Sequence, residues 1–328
     1  MPDRPRRTIP FMIALHEIRE AQRRLEGRVH RTPMVGSRTL SERIGAAVLL
    51  KVEAFQRTGS FKVRGVLNRL HHLTPDERAR GLVTVSAGNH AQAVAYGAGL
   101  EGVRAVVVMP QHASPAKVAA CRGYGAEVVL HGDVFGAFAR MEELREQHGY
   151  TLLHPFDDPL VMAGQGTVGA EMCEDVPEID VAIVPVGGGG LISGVATAVR
   201  ALRPHARIIG VEPIGAPAVR RALDAGEPVR LEHVDTIADG LGAPITGPNV
   251  LEHVRALVDD VVTVSDATIA DGLRFLLERC KLLVEPAGAA GVAALLDGTV
   301  RVAAGARVAV ILSGGNIDLP RLRTLLPS

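Results

Sequence analysis

The sequence predicts an α/β protein with two lobes, each a mostly parallel sheet flanked by helices. Short apolar segments of strand length, rich in β-branched residues, alternate with helical segments along nearly the whole chain. Such alternation is typical of parallel sheets with right-handed crossovers. The chain has 328 residues, of which 47% are hydrophobic, and this length can supply a large core and more than one lobe.

The predicted elements follow one another in a regular order. Residues 14–25 form an amphipathic helix, because apolar and charged residues recur there with helical spacing. Another helix begins with Ser114 as N-cap and Pro115 at its first position. Buried strands are predicted at residues 47–52, 82–86, 104–109, 127–130, 151–154, 181–186, 207–212 and 308–312. The remaining helices are predicted at residues 91–98, 134–148, 191–201 and 268–279.

Composition excludes several classes of protein. Acidic and basic residues balance at a formal charge of zero, and the chain has no Trp, so no nucleic-acid partner is expected. The three cysteines contain no CxxC pair, which argues against a zinc site or a disulfide framework and fits a reducing cytoplasm. The apolar stretch at residues 8–15 is too short for a signal peptide, and no apolar run is long enough to span a membrane. We therefore expect a cytoplasmic protein.

Two features indicate a phosphorylated cofactor that binds covalently. Lys62 is one of only four lysines and lies among small and hydroxyl residues in the segment 58–65, TGSFKVRG. A run of four glycines lies between the predicted strand at residues 181–186 and the next helix, at Gly187, Gly188, Gly189 and Gly190. Backbone N–H groups in such a loop can hold a phosphate, although a tight β–α turn is the alternative reading. Pyridoxal 5′-phosphate (PLP) requires both a lysine and a phosphate site.

A dinucleotide site is the main competing interpretation of the glycines. A G-x-G-x-x-G motif does occur at residues 97–102, but it follows a predicted helix and precedes a strand, the reverse of the order that such a site requires. We interpret it as a helix stop. Two more polar turns follow buried strands, SAGNHAQ at 86–92 and SGGN at 313–316. The first alone could be helix capping by Ser86 or Asn89, but together the turns are typical of ligand binding at the carboxyl ends of parallel strands.

Taken together, these motifs resemble the fold-type II PLP enzymes, and they are most similar to the threonine/serine dehydratases and the related serine racemases. The similarity spans roughly residues 15–320, in family order. The matching segments are KVE at 51–53 leading into 58–65, SAGNHAQ, AGQGT at 163–167, PVGGGGL at 185–191, TIADG at 236–240, LVEPAG at 283–288 and SGGN.

The resemblance implies a role for each matching residue. Lys62 would bind the cofactor aldehyde and later remove the α-proton of the substrate. Asn89 would contact the ring hydroxyl, and Ser313 the pyridine nitrogen, where a serine leaves the ring a weaker electron sink than a carboxylate would. The phosphate would be held by Gly187, Gly188, Gly189, Gly190 and Leu191. The substrate carboxylate would be held by Ser86, Asn89 and His90.

The implied reaction is β-elimination from L-threonine and L-serine, which yields 2-oxobutanoate or pyruvate and ammonia. Serine racemase and 3-hydroxyaspartate dehydratase are alternatives within the family, and a non-catalytic metabolite-binding homologue is an alternative outside it. Ala87 stands where the racemases carry the serine that acts as second base, which favours the dehydratase. We expect the short, catabolic-like form without a C-terminal regulatory domain.

The resemblance also bears on metal, assembly and domains. The divalent-cation ligands of the racemases would fall at Glu212, the backbone of Ala216, and Ala218, where a carboxylate is missing, so a tight magnesium or calcium site is doubtful. A homo-oligomer, either a dimer or a tetramer, is implied. The large PLP-binding domain is expected at residues 1–72 and 156–328, and a small substrate-closing domain at 73–155.

Overall fold

The structure is a computed structural model that describes residues 12–326. Residues 1–11, which include part of the stretch weighed above as a signal peptide, lie outside the described range. The strands are β1 Met34–Gly36, β2 Ala47–Val52, β3 Leu82–Val85, β4 Ala105–Met109, β5 Glu127–Leu130, β6 Thr151–Leu152, β7 Val181–Pro185, β8 Arg207–Pro213, β9 Asp260–Val264 and β10 Arg307–Leu312. The helices are α1 Leu15–Leu25, α2 Arg38–Ile44, α3 Lys62–His71, α4 Pro75–Arg80, α5 Asn89–Glu101, α6 Pro115–Gly123, α7 Val134–His148, α8 Pro159–Asp175, α9 Gly190–Leu202, α10 Ala218–Ala225, α11 Pro248–Leu257, α12 Asp266–Phe275, α13 Pro286–Leu296 and α14 Leu319–Leu325.

The strands form two separate sheets. The larger has the order β1-β2-β10-β7-β8-β9 and the smaller the order β5-β4-β3-β6. Within the described part of the chain, every strand pair is parallel except β1 with β2. The prediction of two parallel-sheet lobes is therefore confirmed. Strand β10 lies between β2 and β7, so both ends of the chain build the larger sheet, while the domain boundaries near residues 73 and 155 stay a prediction.

Of three predicted details, the first is confirmed by the structure and the other two are not. The glycine motif at residues 97–102 does end a helix, because Gly102 closes α5 at a φ of 63°. The capping interpretation of the asparagine turn is wrong, since Gly88 is the N-cap of α5 and Asn89 is its first residue. The helix predicted at 268–279 is α-helical only to Phe275 and continues as a π-helix over Leu276–Cys280.

No helix within residues 12–326 has the length and apolar content to cross a membrane.

Glycines let helix α8 pack closely against both α3 and α9. A Cβ atom on Gly65 of α3 would lie 2.7 Å from the carbonyl oxygen of Val161, and one on Gly164 of α8 would lie 2.6 Å from that of Arg64. On the other side of α8, a Cβ on Gly194 of α9 would lie 2.2 Å from the carbonyl oxygen of Met162. Larger residues would push the helices apart. Helices α3 and α9, which begin at Lys62 and Gly190, are thereby held by one common neighbour.

A buried ionic network joins β2, α3 and α8. The Arg64 guanidinium donates to Glu53 at 2.9 Å and to Glu171 at 2.7 Å, and Lys51 Nζ donates to Glu171 at 2.7 Å. The Arg64, Lys51 and Glu53 side chains are fully buried. Burial alone would raise the pKa of Glu53, but the charge and hydrogen bonds of Arg64 outweigh it and hold that pKa below its usual value. Two cations and two anions thus balance each other in the core. One of the cations, Arg64, lies two residues after Lys62 in the chain.

Candidate active site

A cleft of about 620 Å³ lies where the carboxyl ends of β3, β4, β7 and β10 converge. Ligands of parallel α/β sheets bind at such edges, and the volume suits a cofactor with a small substrate. The predicted cofactor and substrate residues all line this cleft: Lys62, Ser86, Asn89, His90, Gly187, Gly188, Gly189, Gly190, Leu191 and Ser313. Residues separated by up to 251 positions therefore meet, and the structure adds Glu285, Asn316 and Phe156 to them.

Lys62 presents its amine deep in the cleft. Its Nζ donates a hydrogen bond to the carbonyl oxygen of Pro155 at 2.8 Å and lies 5.2 Å from the centre of the Phe61 ring. Burial lowers the pKa of Lys62 to about 8, against the opposing charge of Glu285. About a tenth of this amine is therefore neutral at pH 7, against less than about a thousandth for an ordinary lysine, and only a neutral amine is a nucleophile or a base.

The glycine loop between β7 and α9 has no room for side chains. A Cβ on Gly188 would lie 2.2 Å from the Phe156 ring, and one on Gly190 would lie 2.8 Å from the Phe156 backbone. Gly189 is the N-cap of α9 at a φ of 93°, where no side chain caps the helix. The first N–H groups of a 13-residue helix are thus left for an anion, which the helix dipole favours.

His90 has a defined tautomer. Its Nε2 lies 3.0 Å from the carbonyl oxygen of Leu153, which can only accept, so Nε2 carries the proton. Its Nδ1 is buried without a partner. Burial and the charge of Lys62 lower the pKa of His90 to about 3, so the imidazole stays neutral. A substrate carboxylate at His90 would therefore meet its backbone N–H at the start of α5.

Asn89 is held by two residues to which the sequence assigned no role. Its Nδ2 donates to Glu285 Oε1, and its Oδ1 accepts from Asn316 Nδ2 at 2.8 Å. Glu285 lies within the LVEPAG segment and Asn316 ends SGGN. Those motifs marked both positions, but nothing in the linear chain indicated contacts across 196 and 227 residues.

The predicted cation ligands lie outside the cleft lining. The Glu212 carboxylate accepts hydrogen bonds from the backbone N–H groups of Val219 and Arg220, each at 2.8 Å, and burial raises its pKa to about 7. It thereby serves the first turn of α10, and Ala216 and Ala218 are buried beside it. Within residues 12–326 no three His, Cys, Asp or Glu side chains are grouped as a metal site. That a tight divalent-cation site is doubtful here stays a prediction.

Curated proteins resemble this chain over most of its length. The family profile described as "Pyridoxal-phosphate dependent enzyme" matches residues 25–314. The L-threonine ammonia-lyase of Thermotoga maritima is 45% identical over 94% of this chain and 77% of its own length. The catabolic L-threonine dehydratase TdcB of Escherichia coli K12 is 43% identical over 96% of both chains.

Solved structures give the same result for the fold. Maize serine racemase superposes with a TM-score of 0.91 at 40% identity and covers 96% of this chain and 97% of its own. A T.th. threonine deaminase superposes with a TM-score of 0.88 at 43% identity, covering 94% of this chain and 99% of its own. The profile match and these identities over nearly the full length leave one assignment: this chain belongs to the family of pyridoxal-phosphate dependent enzymes.

Proposed function

We propose that this protein is a PLP-dependent ammonia-lyase that acts on L-threonine and L-serine. It eliminates the β-hydroxyl group and releases ammonia, so that the products are 2-oxobutanoate and pyruvate. The observation that carries the proposal is the Lys62 amine, whose pKa burial lowers to about 8, in the same cleft as an anion-binding glycine loop. The threonine ammonia-lyases and dehydratases among the relatives support this choice of substrate.

The residues of the cleft fit the cofactor. Lys62 would hold its aldehyde, the loop from Gly187 to Leu191 its phosphate, Asn89 its ring hydroxyl and Ser313 its pyridine nitrogen. The fit is supported by the loop itself, where a Cβ at Gly188 or Gly190 would collide with Phe156. When bound, PLP withdraws electrons from the substrate α-carbon and thereby makes its proton removable.

Lys62 performs the proton transfers in this proposal. Its neutral amine takes the α-proton at Nζ, and the resulting ammonium can return a proton to the departing β-hydroxyl. The Pro155 carbonyl, 2.8 Å from Nζ, keeps the side chain in the cleft. His154 does not compete as a base, because its Nδ1 accepts two backbone hydrogen bonds and burial lowers its pKa to about 4.

The direct test is release of 2-oxo acids by the purified, PLP-loaded protein. We expect 2-oxobutanoate from L-threonine and pyruvate from L-serine. If a 2-oxo acid formed from 3-hydroxyaspartate and from neither L-threonine nor L-serine, the substrate would be an acidic amino acid instead of the two proposed. Cofactor absorbance without any 2-oxo acid would reject the lyase and leave either a racemase or a homologue that only binds metabolites.

Racemisation is the second candidate, and the similarity to maize serine racemase is compatible with it. Ala87, which lines the cleft, offers no base for the opposite face of the substrate. We expect Ala87→Ser to raise the rate of D-serine formation from L-serine by about tenfold, a modest part of what a positioned acid–base group contributes. Chiral chromatography measures the product, and Ala87→Gly is the matched control. An equal rise in both variants would contradict a role for the hydroxyl.

Gly188→Ala tests the phosphate loop. The added methyl group must displace the Phe156 ring, and overpacking of this kind costs about 1–3 kcal/mol, so PLP affinity should fall roughly tenfold or more. Titration of the apoprotein with PLP gives the affinity. Gly123→Ala is the control, because nothing lies within 4 Å of its added carbon. Equal affinities for the two variants would contradict a close-fitting loop.

The Lys62 amine should also control how the cofactor is taken up. Because its pKa is lowered to about 8, the uptake rate of PLP by the apoprotein should rise with pH and level off above that value. Below it, the rate should change by about tenfold per pH unit, following the neutral fraction of the amine. Stopped-flow absorbance measures this profile. A rate still rising steeply at pH 10 would indicate an ordinary exposed lysine.

We also propose a cytoplasmic homo-oligomer, either a dimer or a tetramer, in which the lobe at 73–155 closes over the substrate. Contacts across the cleft support closure: Ser114 Oγ donates to Asp318 Oδ2 at 2.8 Å, and Lys117 Nζ lies 3.8 Å from Asp239. Light scattering of the purified protein tests its assembly, and a monomer would reject the oligomer.

A further inference from the structure

The side-chain amide of Asn89 contacts two residues from the far end of the chain. Glu285, at the N-cap of α13, accepts from its Nδ2, and Asn316, in the loop after β10, donates to its Oδ1. Asn89 and Glu285 are buried, with 9% and 7% of their surface exposed. A buried amide whose two ends have different partners has one favourable orientation.

Both partners are themselves fixed. The backbone N–H of Glu285 donates to the carbonyl oxygen of Gly314 at 3.1 Å. Asn316 Nδ2 also donates to the carbonyl oxygen of Thr58 at 2.7 Å, and its Oδ1 packs so closely on Gly59 that a Cβ there would lie 2.4 Å away. The contacts of Asn316 thus reach back to the segment that precedes Lys62.

Counting donors and acceptors shows which N–H group of the Asn89 amide is available to a ligand. The NH₂ group of Asn89 has two hydrogens, and Glu285 is the one acceptor it contacts among the described residues. The second N–H is available to a ligand in the cleft that Asn89 lines. A reversed amide would oppose oxygen to oxygen at Glu285 and NH₂ to NH₂ at Asn316, and would present a carbonyl oxygen in place of a donor.

We propose that Glu285 and Asn316 are positioning residues, which hold the Asn89 amide so that its free N–H is directed at the cofactor ring. The inference rests on the PLP chemistry proposed above and adds the groups that set the polarity of this contact before substrate arrives. The cofactor would meet a preorganised donor, with no reorientation to be made on binding.

The protonation state of Glu285 does not disturb this arrangement. Burial raises its pKa to about 7, while the Asn89 hydrogen bond and Lys117 lower it, Asp239 raises it and Lys62 lowers it. The ionised carboxylate has two acceptor oxygens, and the neutral acid keeps its carbonyl oxygen. Either form can accept from Asn89, so Glu285→Gln, which keeps an acceptor oxygen without the charge, is a matched control.

The experiment measures the affinity of the full-length apoprotein for PLP and the absorbance maximum of the bound cofactor, without substrate. Glu285→Met keeps the length of the side chain and removes the acceptor, while Asn316→Asp places an oxygen against Asn89 Oδ1. We expect each to weaken binding by about tenfold, the value of one hydrogen bond, and to shift the maximum, with Glu285→Gln within about twofold of the parent. Unchanged affinity and absorbance in both variants would overturn the inference.

A double-mutant cycle tests whether the two residues act through Asn89. In an Asn89→Ala background, Glu285→Met should cause no further loss of affinity, because the amide that it orients is gone. Asn316→Asp should cause a smaller loss there than in the parent, since only its contact with the Thr58 carbonyl oxygen is then removed. Undiminished losses in that background would mean a general structural role and would also overturn the inference. Thermal unfolding of each apoprotein verifies the fold. If Glu285→Met does not fold, the comparison of Asn316→Asp with and without Asn89→Ala is a sufficient test. Because no turnover is measured, a failed lyase assay rejects the proposed function and leaves this result independent.

Discussion

Lys62→Ala is expected to remove the visible absorbance of the covalently bound cofactor and to lower kcat for L-threonine by about 10³-fold or more. The reason is that one amine serves as attachment point, base and acid. Lys117 also lines the cleft, but its Nζ is held 3.8 Å from the Asp239 carboxylate. It therefore does not stand at the position of the Lys62 amine and cannot replace it.

The control for this variant is Lys281→Asn, because Lys281 is exposed and lies at a φ of 60°, which asparagine tolerates. Absorbance spectra and 2-oxo acid release are measured on both proteins at equal PLP concentration. Turnover retained by Lys62→Ala would contradict the assignment of the catalytic lysine. Loss of both signals in Lys281→Asn would show that the assay reports on folding instead.

Arg64→Met is expected to lower the free energy of unfolding by about 3–5 kcal/mol, the usual cost of removing one partner from a buried ion pair. The loss leaves Glu53 and Glu171 with Lys51 as the one remaining cation of the network. Urea unfolding at pH 7 measures the effect. Arg38→Met is the matched control, since the Arg38 side chain is 90% exposed and its pair with Glu42 should contribute less than about 1 kcal/mol.

The pH dependence of the variant follows from Glu53. In the parent protein its pKa is lowered, so the stability it contributes is present above its unfolded pKa and is lost as pH falls through the folded one. Without Arg64, burial would raise this pKa, and the deficit of the variant should be larger at pH 8 than at pH 5. Adding Glu53→Gln should recover part of the loss at pH 8. A loss of unfolding free energy that does not vary with pH would mean that the variant loses packing and leaves no unpaired charge at Glu53.

Much of the fold could be predicted because its strands are encoded locally. The strands predicted at 82–86 and 181–186 end within one residue of β3 and β7. Strand β1 was missed, because three residues are too few to show a period and its pairing depends on β2. The π-helix at Leu276–Cys280 was missed for a related reason, since one additional residue in a turn leaves the apolar spacing nearly helical.

The candidate site was predictable where a motif marked it. Lys62 and the glycine loop lie in segments whose residue types already indicate chemistry, and the structure brings them to one cleft. The interactions of Arg64 could not be predicted, because its partners lie 11 and 107 residues away and no local pattern connects them. A buried charge network is specified by tertiary contacts, and a linear chain shows only its members.

The close packing of α8 between α3 and α9 has a consequence for the cofactor. PLP is a rigid aromatic molecule, and the protein proposed here holds it at two ends, at the start of α3 and at the start of α9. The glycines at these helix contacts, among them Gly65, Gly164 and Gly194, then fix the distance between the starts of α3 and α9. A single methyl group added at one of them would increase this distance, and a rigid ring could no longer reach both ends. Selection for catalysis would therefore act on helix packing at positions that never touch the substrate.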